Sequence, residues 1–256
     1  AKLFILLKGY GWYGNFPTWD VAKKLTTGYE SGNIVDRVKK SLLKVVKGEA
    51  AYERDSVVFN EVEYSWELVS SLLFIASLND NSLNIIDFGG SLGSTYYQNC
   101  FFLEGLHSLK WNIVEQPNFV KEGKQHFENE MLKFYNSVEE CISCTKEKIS
   151  VVLFSSVLPY LEAPYSILEE VFKYKIEFII VDRTGFTLND KERITVQKVP
   201  NFIYKASYPC RFFSWTRFVD FFENNGYKLI YDFDALDKVN IPSKYKGLVF
   251  RYKENA

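Results

Sequence analysis

Histidine and cysteine are scarce in this chain, with two of the former and four of the latter in 256 residues. The histidines, His107 and His126, have no metal-ligand spacing, and the single C-x-x-C, Cys141 to Cys144, has no second pair to complete a zinc site. No resident metal is expected, and the thiols read as reduced ones of a cytoplasmic protein. Long apolar runs are also missing. No stretch approaches the roughly 18 apolar residues of a membrane span. The opening run Leu3 to Leu7 is too short for the apolar region of a signal peptide. Nor does one sign of charge dominate: 31 basic against 32 acidic residues give a net charge of −1. That removes the global field which draws a protein to nucleic acid or to an anionic membrane.

Aromatic residues, by contrast, are abundant, with 22 Phe, 17 Tyr and 5 Trp, and some of the rings are expected to line a pocket. The length suits one α/β domain with an appendage. Residues 1–82 read as a helical extension, a lid or an acceptor platform, with no strand pattern before Leu83. In "NIVDRVKKSLLKVVKGE", Asn33 is an N-cap, Ile34, Val38, Leu42, Val45 and Val46 recur at helical spacing, and Gly48 is a stop. "SWELVSSLLFIASLNDN" places Trp66, Val69, Leu72, Leu73 and Ala76 on one face, to be packed on a sheet.

From Leu83 to the end, 83–256, short apolar runs alternate with helical segments, the rhythm of β-α-β units. "LNIIDF", "WNIVEQ", "KFYN", "ISVVLFSS" and "FIIVDR" predict parallel strands, and "YKLIYDF" with "GLVFRY" predicts an antiparallel terminal hairpin. The expected fold is therefore α/β and Rossmann-like: a seven-stranded, mostly parallel sheet in the layout of a class I methyltransferase, unlike the all-parallel NAD-binding sheet.

Ligands of open α/β sheets lie beyond the carboxyl ends of the strands, so the residues that follow each run are the candidate site. They are Asp87, Gly89, Gly90, Ser91 and Gly93, then Glu115 and Gln116, then Ser155 and Ser156, then Asp182, Arg183 and Thr184. Glu115, 22 residues after Gly93, suits the two ribose hydroxyls of an adenosine cofactor. G-G-S-L-G is not the dinucleotide G-x-G-x-x-G. Asp87 in front of it would repel a pyrophosphate and favour the sulfonium and ammonium of S-adenosylmethionine.

"YERDSVVF", "DFGGSLGS", "VEQ", "SSVLPYL", "DRTGF" and "VPNFIYKASYP" closely resemble a family of class I S-adenosylmethionine-dependent methyltransferases associated with bacterial polysaccharide and O-antigen synthesis. The resemblance runs from about Trp12 to the last strand and implies a small-molecule or glycan acceptor, with S-adenosylhomocysteine as product. It aligns Asp87, Gly89 and Gly93 with the acid and spaced glycines of the class, puts Ser91 where many members have a glycine, and makes Glu115 the ribose acid. Ser155 and Ser156 match the loop that walls the cofactor.

For the chemistry, Asp182 is the candidate general base and Arg183 a partner for an acidic or phosphorylated acceptor. This reading has the fifth core strand end at Asp182. Glu53, Arg54 and Asp55 form a second cluster, a lid or a surface network of ion pairs. Tyr208 and Arg211 are candidate acceptor residues in the connection after the fifth strand, and Phe212, Phe213, Trp215, Phe218 and Phe221 have the spacing of a buried helix. His107, in a turn entering a strand, and His126, mid-helix, are poor bases. A nicotinamide-dependent enzyme on sugar nucleotides and a non-catalytic binding protein on a methyltransferase fold are the rival readings.

Overall fold

The computed structural model describes residues 10–28, 34–201, 203, 206–235, 237 and 239–253. Its elements run β1 (Gly11–Phe16), α1 (Trp19–Lys23), α2 (Ile34–Val46), β2 (Tyr52–Arg54), β3 (Val57–Phe59), α3 (Trp66–Ser77), β4 (Ser82–Phe88), α4 (Ser94–Leu103), β5 (Ser108–Val114) and α5 (Pro117–His126). The chain continues with β6 (Leu132–Tyr135), α6 (Val138–Cys144), β7 (Val151–Ser155), α7 (Pro164–Phe172), β8 (Phe178–Thr187), β9 (Arg193–Lys198), β10 (Ser207–Phe212), α8 (Trp215–Asn224), β11 (Tyr227–Asp234) and β12 (Ser243–Tyr252).

Seven strands form one sheet in the order β11-β12-β8-β7-β4-β5-β6. β4 pairs parallel with both β5 and β7, β5 pairs parallel with β6, and β11 pairs antiparallel with β12 at one edge. The central strands are apolar on both faces, as a sheet covered on both sides requires: Leu83, Ile85 and Ile86 in β4 and Val151 to Phe154 in β7 are buried. Helix starts follow the residues that satisfy free N–H groups. Ser65, Ser137 and Ser214 cap α3, α6 and α8 with their hydroxyls, and Pro117 and Pro164 open α5 and α7, where a missing N–H costs nothing.

Two compact units divide the chain. One comprises 35–155 and 174–180; the other comprises 1–34, 156–173 and 181–256. The first contains the helices α2 to α6 and the strands that position the glycine turn. The second carries a separate three-stranded antiparallel sheet, β1-β9-β10, together with the terminal hairpin.

Several expectations are corrected. Three strands precede Leu83. β1 escapes the pattern because it holds two glycines and pairs with β9, about 180 residues downstream, while β2 and β3 are a three-residue hairpin too short to show alternation. On α3 the buried stripe is Leu68, Val69, Leu72, Ile75 and Ala76. Leu73 is 38% exposed and Trp66 is 55% exposed, the latter resting on the rings of Tyr64 and Phe102. On α2, Ile34, Val38 and Leu42 are buried but Val46 is exposed; Asn33 lies outside the described residues. Phe212 belongs to β10 and Phe213 precedes α8, so only the later aromatics of that run are helical. β8 does not end at Asp182 but continues to Thr187, and His126 is the last residue of α5.

Candidate functional site

The glycine turn joins β4 to α4 within the first unit. Gly89, Ser91 and Gly93 have φ of 72, 56 and 104°, the left-handed region. Gly90 is bare for a different reason: a Cβ there would lie 2.5 Å from Cγ and Oδ2 of Asp87. The turn is thus wrapped directly on a carboxyl group. Asp87 is 1% exposed, and its Oδ2 accepts a 2.9 Å hydrogen bond from Trp111 Nε1 on β5. Burial pushes the Asp87 carboxyl up to about 7, against the pull of the Trp111 N–H, and the Glu115 charge adds to the rise.

Glu115 follows β5, partly buried, and its Oε2 accepts from the Gln116 N–H at 2.6 Å. Burial raises its carboxyl to about 6, while the N–H groups of Gln116 and Ser91 pull it down. Ser91 therefore takes the conformation of a glycine and turns its N–H toward Glu115. Gln116 itself is exposed and serves as N-cap of α5. Once ionised, these two buried carboxylates would favour a cation and repel a phosphate.

Glu53 joins this group. It sits on β2, 1% exposed, and accepts from the Ser94 hydroxyl in the first turn of α4 and from the Ser56 N–H at 2.7 Å. Burial raises its carboxyl to about 7, opposed first by the Ser94 hydrogen bond. The hairpin turn, Asp55 and Ser56 at φ 53 and 69°, adopts a conformation usually left to Asn-Gly. Arg54 is largely buried and faces Glu63 at 3.6 Å. Glu53 is therefore a buried support of the glycine turn and of the helix that leaves it.

The second unit holds the remaining candidates. Asp182 is 2% exposed, and its carbonyl accepts from the Ser156 N–H at 3.0 Å and from the Thr184 hydroxyl at 3.2 Å. Ser156 has φ 57°, and Arg183, inside β8, has φ 52°, a strained break in a strand. The Arg183 guanidinium grips Asp237 with both Nε and Nη2, at 2.9 and 3.1 Å. Tyr208 meets the ring of Tyr160 edge-on at 5.3 Å. Arg211 donates to Glu192 and to the Glu162 carbonyl and lies over the Trp19 ring. Ser155 ends β7 in the first unit.

The structure thus gathers Asp87, Gly89, Gly90, Ser91, Gly93, Glu115 and Glu53 in one unit, whereas Asp182, Arg183, Tyr208 and Arg211 belong to the other. Sequence reasoning passes over Trp111, Ser94 and Asp237, the partners of Asp87, Glu53 and Arg183. Trp111 alone left a trace, as a polar-edged aromatic inside an apolar strand.

No protein-family model and no curated protein matches this chain. Among solved structures, the N-terminal domain of EvdMO1, in the presence of S-adenosylhomocysteine and D-fucose, superposes with a TM-score of 0.50 at 12% identity, over 84% of this chain and 97% of that one. A pericyclic reaction enzyme superposes with a TM-score of 0.50 at 11% identity, over 72% of this chain and 47% of that one. For 1,6-didemethyltoxoflavin-N1-methyltransferase of Burkholderia thailandensis, with bound 1,6-didemethyltoxoflavin and S-adenosylhomocysteine, the TM-score is 0.48 at 13% identity, over 86% and 88%. Identities this low speak for fold and not for chemistry. Strand order, terminal hairpin and the two superpositions at a TM-score of 0.50 agree that the chain has the Rossmann-like fold of class I methyltransferases.

Proposed function

We propose that this protein is an S-adenosylmethionine-dependent methyltransferase that O-methylates a sugar of a bacterial surface polysaccharide or its precursor. The observation that carries the reading is the glycine turn closed on buried Asp87, with Glu115 after the adjacent strand. Asp87 and the backbone of Gly89 to Gly93 would hold the charged methionine end of the cofactor, and Glu115 would accept from the ribose hydroxyls. When bound, the cofactor supplies an already activated methyl group. Ser94 and Glu53 keep the start of α4 in place. In the other unit we assign the acceptor proton to Asp182, with Arg183 oriented by Asp237. The sugar acceptor rests on the family resemblance.

Thermal unfolding with S-adenosylmethionine, S-adenosylhomocysteine or NAD tests the cofactor. A ligand at 100 times its dissociation constant stabilises the native state by about 2.7 kcal/mol. The two sulfur compounds should raise the midpoint, and Glu115→Ala should remove the rise. A rise with NAD alone would overturn the reading in favour of redox chemistry. Release of S-adenosylhomocysteine with lipid-linked or nucleotide-linked sugars then tests the acceptor.

A further inference from the structure

Helices α3 and α4, both in the first unit, are nearly without charge. In the whole chain 25% of residues are charged, yet among the 12 residues of α3 and the 10 of α4 only Glu67 is. A helix apolar all round belongs in an interior, because a face left to water normally carries charged side chains. The inward face of α3 is Leu68, Val69, Leu72, Ile75 and Ala76. Its outward face holds Trp66, Leu73, Phe74 and Leu78, exposed by 55, 38, 42 and 48%, and on α4 Phe101 is 67% exposed. Trp66 and Phe101 both meet the Phe102 ring, at 5.1 and 5.2 Å, so the exposed rings of the two helices form one surface.

A bilayer is a poor match for it. Interfacial helices hold anionic lipid with Lys and Arg beside the apolar stripe, and α3 and α4 carry neither. A second copy of this chain fits better. Trp66, Ser70, Leu73 and Ser77, all exposed, recur at steps of four, three and four residues, the seam spacing of paired helices. About a two-fold axis beside residues 71 and 72, antiparallel α3 helices would set Trp66 against the partner's Ser77 and Ser70 against the partner's Leu73. Each contact is then a large side chain over a small one, the self-complementarity that an isologous interface demands. Area agrees with this. The five exposed apolar side chains offer roughly 500 Å² per copy, enough for the apolar centre of the ~800 Å² per partner that a stable pair buries. Exposed Glu67 and Glu104 would belong to its polar rim.

We propose that the outer face of α3, flanked by Phe101, is the interface of a two-fold symmetric homodimer in which antiparallel α3 helices pack Trp66 and Leu73 onto the serines of the second copy. Pairing needs neither cofactor nor acceptor, so it stands apart from the methyltransferase reading.

Sedimentation equilibrium of the full chain without ligand, over a wide range of concentration, should show twice the mass of one chain. Leu73→Arg should weaken the pair about thirtyfold or more, as the loss of a central anchor does. Its circular dichroism should stay unchanged, because Leu73 lies outside the core. Ser77→Trp discriminates further. It adds apolar surface, so indiscriminate association would grow, whereas the paired row has no room opposite Trp66 and should separate. Wild-type chains that stay single at every concentration overturn the proposal. So does a dimer that Leu73→Arg leaves intact or that Ser77→Trp tightens. Flotation with vesicles of phosphatidylcholine and phosphatidylglycerol completes the test: single chains carried up with the vesicles would give the face to a membrane and overturn the pairing. The thermal response to S-adenosylmethionine should persist in Leu73→Arg, so the cofactor reading and the dimer fail separately.

Discussion

Asparagine at position 87 keeps the shape of the side chain and its bond from Trp111 but can never ionise. In the native protein the Asp87 carboxyl is pushed from its ordinary 3.8 to about 7, chiefly by burial. A raised value means that the folded state keeps a proton which the unfolded chain releases. Native stability is therefore fully present below about pH 4 and is lost as pH rises through 7. At 1.36 kcal/mol per unit, the ionised carboxylate costs the native state roughly 4 kcal/mol by about pH 8. Asp87→Asn should match the wild type near pH 4 and exceed it by several kcal/mol at pH 8. Urea-unfolding curves at steps across this range, without ligand, measure the difference. Glu53 and Glu115, raised to about 7 and about 6, titrate in the same window in both proteins and largely cancel from the comparison. A difference that is flat with pH would refute the burial argument. A bound cation should reverse the balance, so S-adenosylmethionine affinity should tighten from pH 6 to 8 in the wild type and stay level in the variant.

Gly90→Ala forces a Cβ into the Asp87 carboxyl at 2.5 Å; overpacking with a strained Trp111 bond should cost about 3 kcal/mol in chemical unfolding and abolish the thermal response to S-adenosylhomocysteine. Ser91→Gly should raise stability by about 1 kcal/mol, since φ 56° suits glycine and the N–H toward Glu115 is retained; a loss would mean that the serine hydroxyl makes a compensating contact. Arg183→Ala and Asp237→Asn should each destabilise by about 1–3 kcal/mol and the double variant by much less than their sum, as a double-mutant cycle would show for a bidentate pair. Ser94→Ala removes the hydroxyl that favours the charged form of Glu53, so its penalty should be larger at pH 8 than at pH 5 in melts at the two values.

What the chain reveals of itself comes from local order. Buried parallel strands must be apolar on both faces, so β4, β5, β7 and the start of β8 stand out as runs, and the acid and glycines that end β4 mark a tight turn whatever surrounds them. From these the sheet, its terminal hairpin and the position of the candidate cofactor turn were legible. Pairings distant in sequence were not. β1 finds β9 across about 180 residues, and Glu53 reaches Ser94 across 41. The bond from Trp111 to Asp87 depends on the register of β4 with β5, which no periodicity records. Sequence alone thus determined which segments must be strands and where the backbone must be bare, because burial and backbone conformation act residue by residue. Only the tertiary structure decided which carboxyl groups are buried and which side chains hold them, because desolvation and hydrogen bonding depend on neighbours that the fold brings from elsewhere in the chain.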